Sequence, residues 1–179
     1  SATTPVITAR AHHTSVAWNG YLYVIGGLGA GPYLNDVQVA PISANGTLGA
    51  FAPATSSFAT PRYRHASLAY NGHLYVIGGS NTGGNLNDVQ VAPINANGTL
   101  GAFSATSSFT TARNGHTSVA YNGKLYVVGV SGSIREPLPV VWRRHVGLRG
   151  NQEACYLRSE PRSPLYYSET QRLRSRRHL

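Results

Sequence analysis

Three arginine–histidine pairs are the residues of this chain best equipped for chemistry. Arg10 and His13, Arg62 and His65, and Arg113 and His116 share one spacing, and the pairs recur 52 and then 51 residues apart. A guanidinium beside an imidazole can hold a carboxylate or phosphate by charge and paired hydrogen bonds. Gathered on one face, the pairs would suit an anionic ligand or a sugar acid. The recurrence equally fits a joining duty, because a residue repeated at one place in every unit is usually there to stack the units. Evenly spaced histidines also raise metal binding. One His per unit, with no carboxylate or thiolate beside it, is a poor ligand set, so no metal site is expected.

Catalysis finds little to work with. The only carboxylates before residue 135 are Asp36 and Asp88, at equivalent positions of separate units, where each follows an Asn and suits a strand start. General acid–base chemistry on sugars needs two carboxylates facing one substrate. No catalytic residue and no cofactor is expected. Asn45-Gly46-Thr47 and Asn97-Gly98-Thr99 match the N-x-[ST] pattern, but their physical content is a tight turn with Thr opening the next strand. Two loops hold more promise. Residues 28–33 (LGAGPY) and 80–85 (SNTGGN) occupy the same place in two units and differ, while their flanks barely change. A constant scaffold carrying a varied loop is built like a binding surface, although a loop under no constraint also drifts. The candidate ligand-binding residues are therefore Tyr33, Asn81 and Asn85 from the loops, with Arg10, Arg62, Arg113, His13, His65 and His116 from the pairs.

The elements that must position these residues are written as a repeat. Residues 34–51 and 86–103 differ at one position in eighteen, Ser43 against Asn95, and residues 14–27, 66–79 and 117–130 are three copies of a second segment. A period near 50 residues predicts stacked supersecondary units. Each unit carries four strand signals. In the second copy they are residues 67–70, 73–77, 88–93 and 100–105, separated by Asn71-Gly72, by Gly78-Gly79 with its loop, and by Asn97-Gly98. Asn-Gly favours the type I′ turn, whose central residues both need positive φ. Tyr21-Leu22-Tyr23-Val24-Ile25 is apolar on both alternating faces. Such a sheet is sandwiched between two others, as a propeller blade is.

The order of Arg10, Gly26-Gly27, Leu34-Asn35 and Phe51 recurs as Arg62, Gly78-Gly79, Leu86-Asn87 and Phe103. On these residues the chain resembles the kelch repeat, the blade unit of galactose-oxidase-like β-propellers, in a divergent bacterial-style array over residues 1 to about 130. Ala40 and Ala92 stand where kelch blades carry Tyr, and Phe51 and Phe103 where they carry Trp. The resemblance implies an all-β, incomplete β-propeller of four-stranded antiparallel blades, and a non-enzymatic scaffold that binds a protein or a glycan through its blade loops. The competing class is a piece of a propeller enzyme acting on sugars, a sugar oxidase or a sialic-acid-processing type, with its catalytic residues outside this chain. Galactose oxidase joins a Tyr to a Cys beside copper; Cys155 lies beyond the repeat, so no position here inherits that chemistry.

Residues 1–10 match residues 104–113, so the expected frame is the outer strand of one blade, two whole blades and half of a third. Two and a half blades do not close a ring, and a piece of a longer array, or self-association through exposed blade faces, is expected. The repeat stops at Val130, which replaces the second glycine. Residues 131–179 form a second segment holding two thirds of the excess charge: residues 135–179 have ten Arg and four Glu, against five basic and two acidic residues before them. Out-of-frame sequence, a disordered basic extension, and a phosphate-binding arm at residues 172–178 are the three readings. The abrupt mid-blade break favours the first, and the lack of interleaved aromatics argues against a nucleic-acid partner. An irregular tail is expected, with no regular third or fourth strand from residue 131 onward. No apolar run is long enough to span a membrane, and no charged-then-apolar leader opens the chain. A leader already removed would leave a secreted or cell-surface protein, which the reading leans towards over a cytoplasmic one.

Overall fold

The computed structural model of the chain describes residues 5–129 and 138–141. They form three antiparallel sheets and no helix. The first blade is β1 (Thr14–Trp18), β2 (Tyr21–Leu28), β3 (Tyr33–Pro41) and β4 (Ala52–Pro53). The second is β5 (Ala66–Tyr70), β6 (His73–Asn81), β7 (Gly84–Pro93) and β8 (Ser104–Thr106). Each is a meander in sequence order. The third sheet holds β9 (Thr117–Tyr121), β10 (Lys124–Val128) and β11 (Leu138–Val141), with β10 in the middle. The chain is an all-β partial propeller, and the outer strand expected at its start falls on residues 1–4, outside the described residues.

Local chemistry explains the hairpins. Asn19, Asn71 and Asn122 have φ of 46°, 49° and 47°, each followed by a glycine at positive φ, as the tight strand-reversing turn requires. The diglycines behave differently from the sequence reading, which ended the second strand there. β2 and β6 run through them, and the register shifts between Ile25 and Gly27 and again between Ile77 and Gly79. A bulge of this kind lets the strand bend without losing its partner. The expected long loops shrink accordingly to residues 29–32 and 82–83.

Blades pack face to face. Tyr23 and Ile25 of the first meet Leu74, Val76 and Ala92 of the second, with Phe58 and Leu100 closing the layer. Tyr75, Ile77 and Val89 of the second meet Leu125 and Val127 of the third, with Phe109 in the place of Phe58. Apolar residues on both faces of β6 thus serve two interfaces.

One expectation is corrected at the C-terminal side. The segment from residue 131 onward is not irregular throughout: Leu138–Val141 pairs with β10, where only the absence of a regular third strand was expected. Its frame is not that of the repeat. Tyr21 faces Pro41 and His73 faces Pro93, both 20 residues on, whereas Lys124 faces Val141, 17 residues on. Among the described residues β11 is an edge strand, bonded to β10 alone, where the donor missing at Pro139 is tolerated. The expectations for residues 142–179 lie outside the described residues.

Candidate functional site

The arginines turn inward. Arg62 is fully buried; its Nη1 and Nη2 donate to the two carboxylate oxygens of Asp88 at 2.7 Å each, and Nη1 also donates to the Gly78 carbonyl at 2.8 Å. Arg10 repeats this with Asp36 at 2.9 and 2.8 Å and with Gly26 O at 3.0 Å. Arg113 donates to Gly129 O at 3.0 Å and has no carboxylate partner among the described residues. Burial raises the Asp88 carboxyl, but hydrogen bonds from Arg62 and Gln90 and the Arg62 charge outweigh it and hold the group below its ordinary value. The two arginine–aspartate pairs clamp the start of a blade to its own third strand.

The backbone around them ties one blade to the next. Arg62 N donates to Leu34 O and Phe58 N to Asn35 O, while Asn35 Nδ2 donates back to Phe58 O at 2.8 Å. Asn87, Phe109 and Arg113 repeat the arrangement. Leu-Asn-Asp is therefore a structural signature: Asn holds the incoming linker, and Asp holds the clamp. Phe58 and Phe109, which sequence reasoning passed over, explain the first glycine of each pair, while Gly27 and Gly79 are pressed by the Ala11–His13 and Tyr63–His65 segments. The Phe58 and Phe109 Cζ atoms would lie 2.9 and 2.8 Å from a Cβ at Gly26 or Gly78, too close for any real side chain. The repeated Ser-Ser-Phe was their signal.

His65 and His116 sit in the joints and are buried, whereas the equivalent His13 is exposed. His65 Nε2 lies 2.8 Å from Thr14 Oγ1, and Ser67 Oγ donates to the same oxygen at 2.7 Å. The Thr14 hydroxyl proton is then left for the imidazole, which acts as acceptor. Burial, then the charges of Arg62, His116 and His13, push His65 down to about 3. The next joint lacks this relay. Ala66 occupies the place of Thr14, and among the described residues His116 Nε2 and Ser118 Oγ are left buried without partners, beside the Nδ1 atoms that are unpartnered in both joints. Ala66→Thr is expected to satisfy His116 Nε2 and Ser118 Oγ together and to stabilise the fold by about 1–2 kcal/mol, read as a raised urea midpoint. An unchanged or lowered midpoint would refute the relay.

The loop residues lie elsewhere, at one end of the sheets. The opposite end carries the turns that repeat without variation, Asn19-Gly20 with Asn45-Gly46 and their second-blade counterparts, joined by Ile42 N donating to Gly20 O and Ile94 N to Gly72 O. At the varied end, Tyr33 stacks on Tyr63, centroids 5.0 Å apart and planes 11° from parallel. His12 tilts against Tyr63 at 5.9 Å, and the Arg64 guanidinium lies 5.5 Å from the same ring. One joint further, Asn114 Nδ2 donates to Asn85 Oδ1 at 2.6 Å. Asn81 Oδ1 accepts from Gly83 N, shaping the short turn.

Tyr63, Arg64, His12 and Asn114 were missed because the varied residues were sought only in residues 28–33 and 80–85. A second signal was present. Between each constant Arg and His stands a changing dipeptide: Ala11-His12, Tyr63-Arg64, Asn114-Gly115. The structure brings each later dipeptide against the preceding blade's varied loop. His12 and Arg64 hold φ of 54° and 52°, where the third copy has Gly115 at 64°.

Among the described residues no three His, Cys, Asp or Glu side chains come together as a metal-binding set, and no helix is long and apolar enough to cross a membrane. A family model described as the KLHDC2/KLHL20/DRC7 Kelch-repeats domain matches residues 1–129. No curated protein matches the chain.

Proposed function

Because the chain belongs to the kelch-repeat family, whose domains generally mediate protein–protein contacts and are mostly non-enzymatic, we propose that it is an interaction scaffold that grips a partner protein with the varied end of its blades. One observation carries this reading. Two segments that vary between repeats, separated by about 30 residues in the chain, meet across each blade joint, while the Asn-Gly turns at the other end repeat. The proposed contact residues are Tyr33, Tyr63, Arg64, His12, Asn81, Asn85 and Asn114. Of the paired residues weighed as ligand contacts, Arg10, Arg62 and Arg113 are engaged within the blades and His65 and His116 are enclosed; His13 alone stands at the surface. Stacked tyrosines with an adjacent guanidinium are typical anchors of protein contacts, and an aromatic platform also suits a sugar face, which makes a glycan the second reading. Self-association through an uncovered blade face is a further contact open to such a scaffold.

The test compares partners captured by the wild-type chain with those captured by Tyr63→Ala/Arg64→Ala and by Asn97→Ala at the constant end. Loss of the two anchors is expected to weaken the captured complex at least thirtyfold, about 2 kcal/mol, with Asn97→Ala unchanged. Equal retention by both variants overturns the assignment of the face. Retention on an immobilised glycan series without a protein partner favours the second reading.

A further inference from the structure

Six Asn-Gly pairs occur in the chain, at Asn19, Asn45, Asn71, Asn97, Asn114 and Asn122. Each sets a side-chain amide beside a backbone nitrogen whose own residue carries no Cβ to shield it. Such a nitrogen can attack the asparagine Cγ when its N–H is free. Four of the six glycine amides are engaged. Gly46 N donates to Ser43 O at 2.8 Å, Gly98 N to Asn95 O at 3.0 Å and Gly115 N to Arg64 O at 2.8 Å. Gly123 N donates to the Tyr70 hydroxyl at 2.9 Å. Gly20 N and Gly72 N have no hydrogen-bond partner among the described residues. For Gly72 the reason lies in the first blade, where Trp18, which has no hydroxyl, stands in the place of Tyr70. Asn71 carries one feature more. Its backbone carbonyl belongs to the same peptide unit as Gly72 N, and it lies 2.9 Å from His73 Nδ1. A carbonyl oxygen only accepts, so the imidazole donates. Tyr21 stands at the matching place after Asn19 and offers no such donor.

We propose that Asn71 is a self-modification site, converted to aspartate and isoaspartate in the folded protein with the help of the His73 imidazole. A hydrogen bond donated to the Asn71 carbonyl draws electron density onto that oxygen and eases loss of the amide proton at Gly72. Hydroxide from solvent takes that proton, and the nitrogen forms a bond to Asn71 Cγ. The Cγ–Nδ2 bond breaks, and ammonia leaves with a proton from water. Water then opens the five-membered imide at either carbonyl. The net exchange is water in and ammonia out, with nothing oxidised or reduced. Asn71 is exposed, so solvent reaches it. Isoaspartate adds a methylene to the main chain of the turn between β5 and β6, where Asn71 holds φ of 49° and Gly72 O accepts from Ile94 N. The longer backbone does not fit that turn, so conversion loosens the hairpin at the end of the blade away from the varied loops. The proposal is independent of the scaffold reading.

Peptide mapping by mass spectrometry of the full chain, incubated at mildly alkaline pH, is the test, with isoaspartyl methyltransferase labelling to mark the isomer. Asn71 is expected to convert fastest, about threefold ahead of Asn19, with the four engaged sites slower still. His73→Tyr, which places the first-blade residue there, should bring Asn71 down to the Asn19 rate. Tyr70→Phe should free Gly123 N and raise the Asn122 rate about fivefold. In urea the six rates should converge, because their order belongs to the fold. Conversion at Asn71 no faster than at Asn45 and Asn97, indifference of Asn71 to His73→Tyr, an unmoved Asn122 in Tyr70→Phe, or the same order kept in urea would overturn the proposal.

Discussion

Asp88→Ala is expected to cost about 3 kcal/mol of folding stability, because it strips a fully buried guanidinium of the carboxylate it is paired with. The cost comes from what remains, not from the pair itself. Arg62 cannot shed its charge, and the carbonyls of Gly78 and Thr60 accept only part of its hydrogen-bonding capacity. Adding Arg62→Met to Asp88→Ala should therefore recover part of the loss, since a buried ion pair and a well-packed apolar pair are often of similar worth. Urea unfolding of the single and double variants reads this directly. A single variant within 1 kcal/mol of wild type, or a double variant less stable than the single, would show that the clamp is not a desolvated pair. The Arg113 position offers an internal comparison. Its guanidinium makes do with backbone carbonyls and remains half-buried rather than enclosed.

The second large effect is with acid. His65 is held down to about 3 and His116 to about 4, in both cases chiefly by burial and then by the neighbouring arginine. In the unfolded chain both titrate near 6.5. Below that value the unfolded chain takes up protons that the folded protein refuses, so folding stability falls as the pH falls, until the depressed folded values are reached. At about 1.4 kcal/mol per pH unit for each group, the two together remove about 4 kcal/mol between pH 7 and pH 5. That is a large part of the 5–15 kcal/mol by which domains are typically stable. Asp36 and Asp88 act in a lower window. Their carboxyls are also depressed, so their contribution is present above the ordinary carboxylate value and is lost only below about pH 4. Urea midpoints measured at pH 7 and pH 5 should drop accordingly, and His65→Asn should remove roughly half of the slope. A flat profile across that interval would mean that the histidines are hydrated in the joints.

How much of this could be read from the chain differs from residue to residue. The Asn-Gly turns were legible because the constraint is local: two adjacent residues at positive φ. The sandwiching of the blades was legible because both faces of residues 21–25 are apolar. The partner of Asp36 was not, since Arg10 lies 26 residues away and nothing in the spacing distinguishes a clamp from a strand start. The diglycine was found but misread as a strand end, because the cause of its small side chain, the Phe58 ring, comes from a different part of the chain. Leu138–Val141 was not legible as a strand because it carries Pro139, and the rule against proline in strands is weakest at an edge. The face formed by Tyr33 and Tyr63 was half visible. One varied segment was recognised, and the other, only two residues long, hid between constant neighbours.

The left-handed backbone at His12 and Arg64 has a consequence for anyone improving this protein. A residue with a Cβ pays roughly 1–2 kcal/mol for that conformation, and the third copy, with Gly115, does not. Glycine at either position would be an obvious choice in a campaign for heat resistance. Each such gain would delete an imidazole or a guanidinium from the end of the blades where the two varied segments meet. Under the proposed function, robustness and recognition are set against each other at two named backbone angles, and a screen that rewards only the first would make the blades alike.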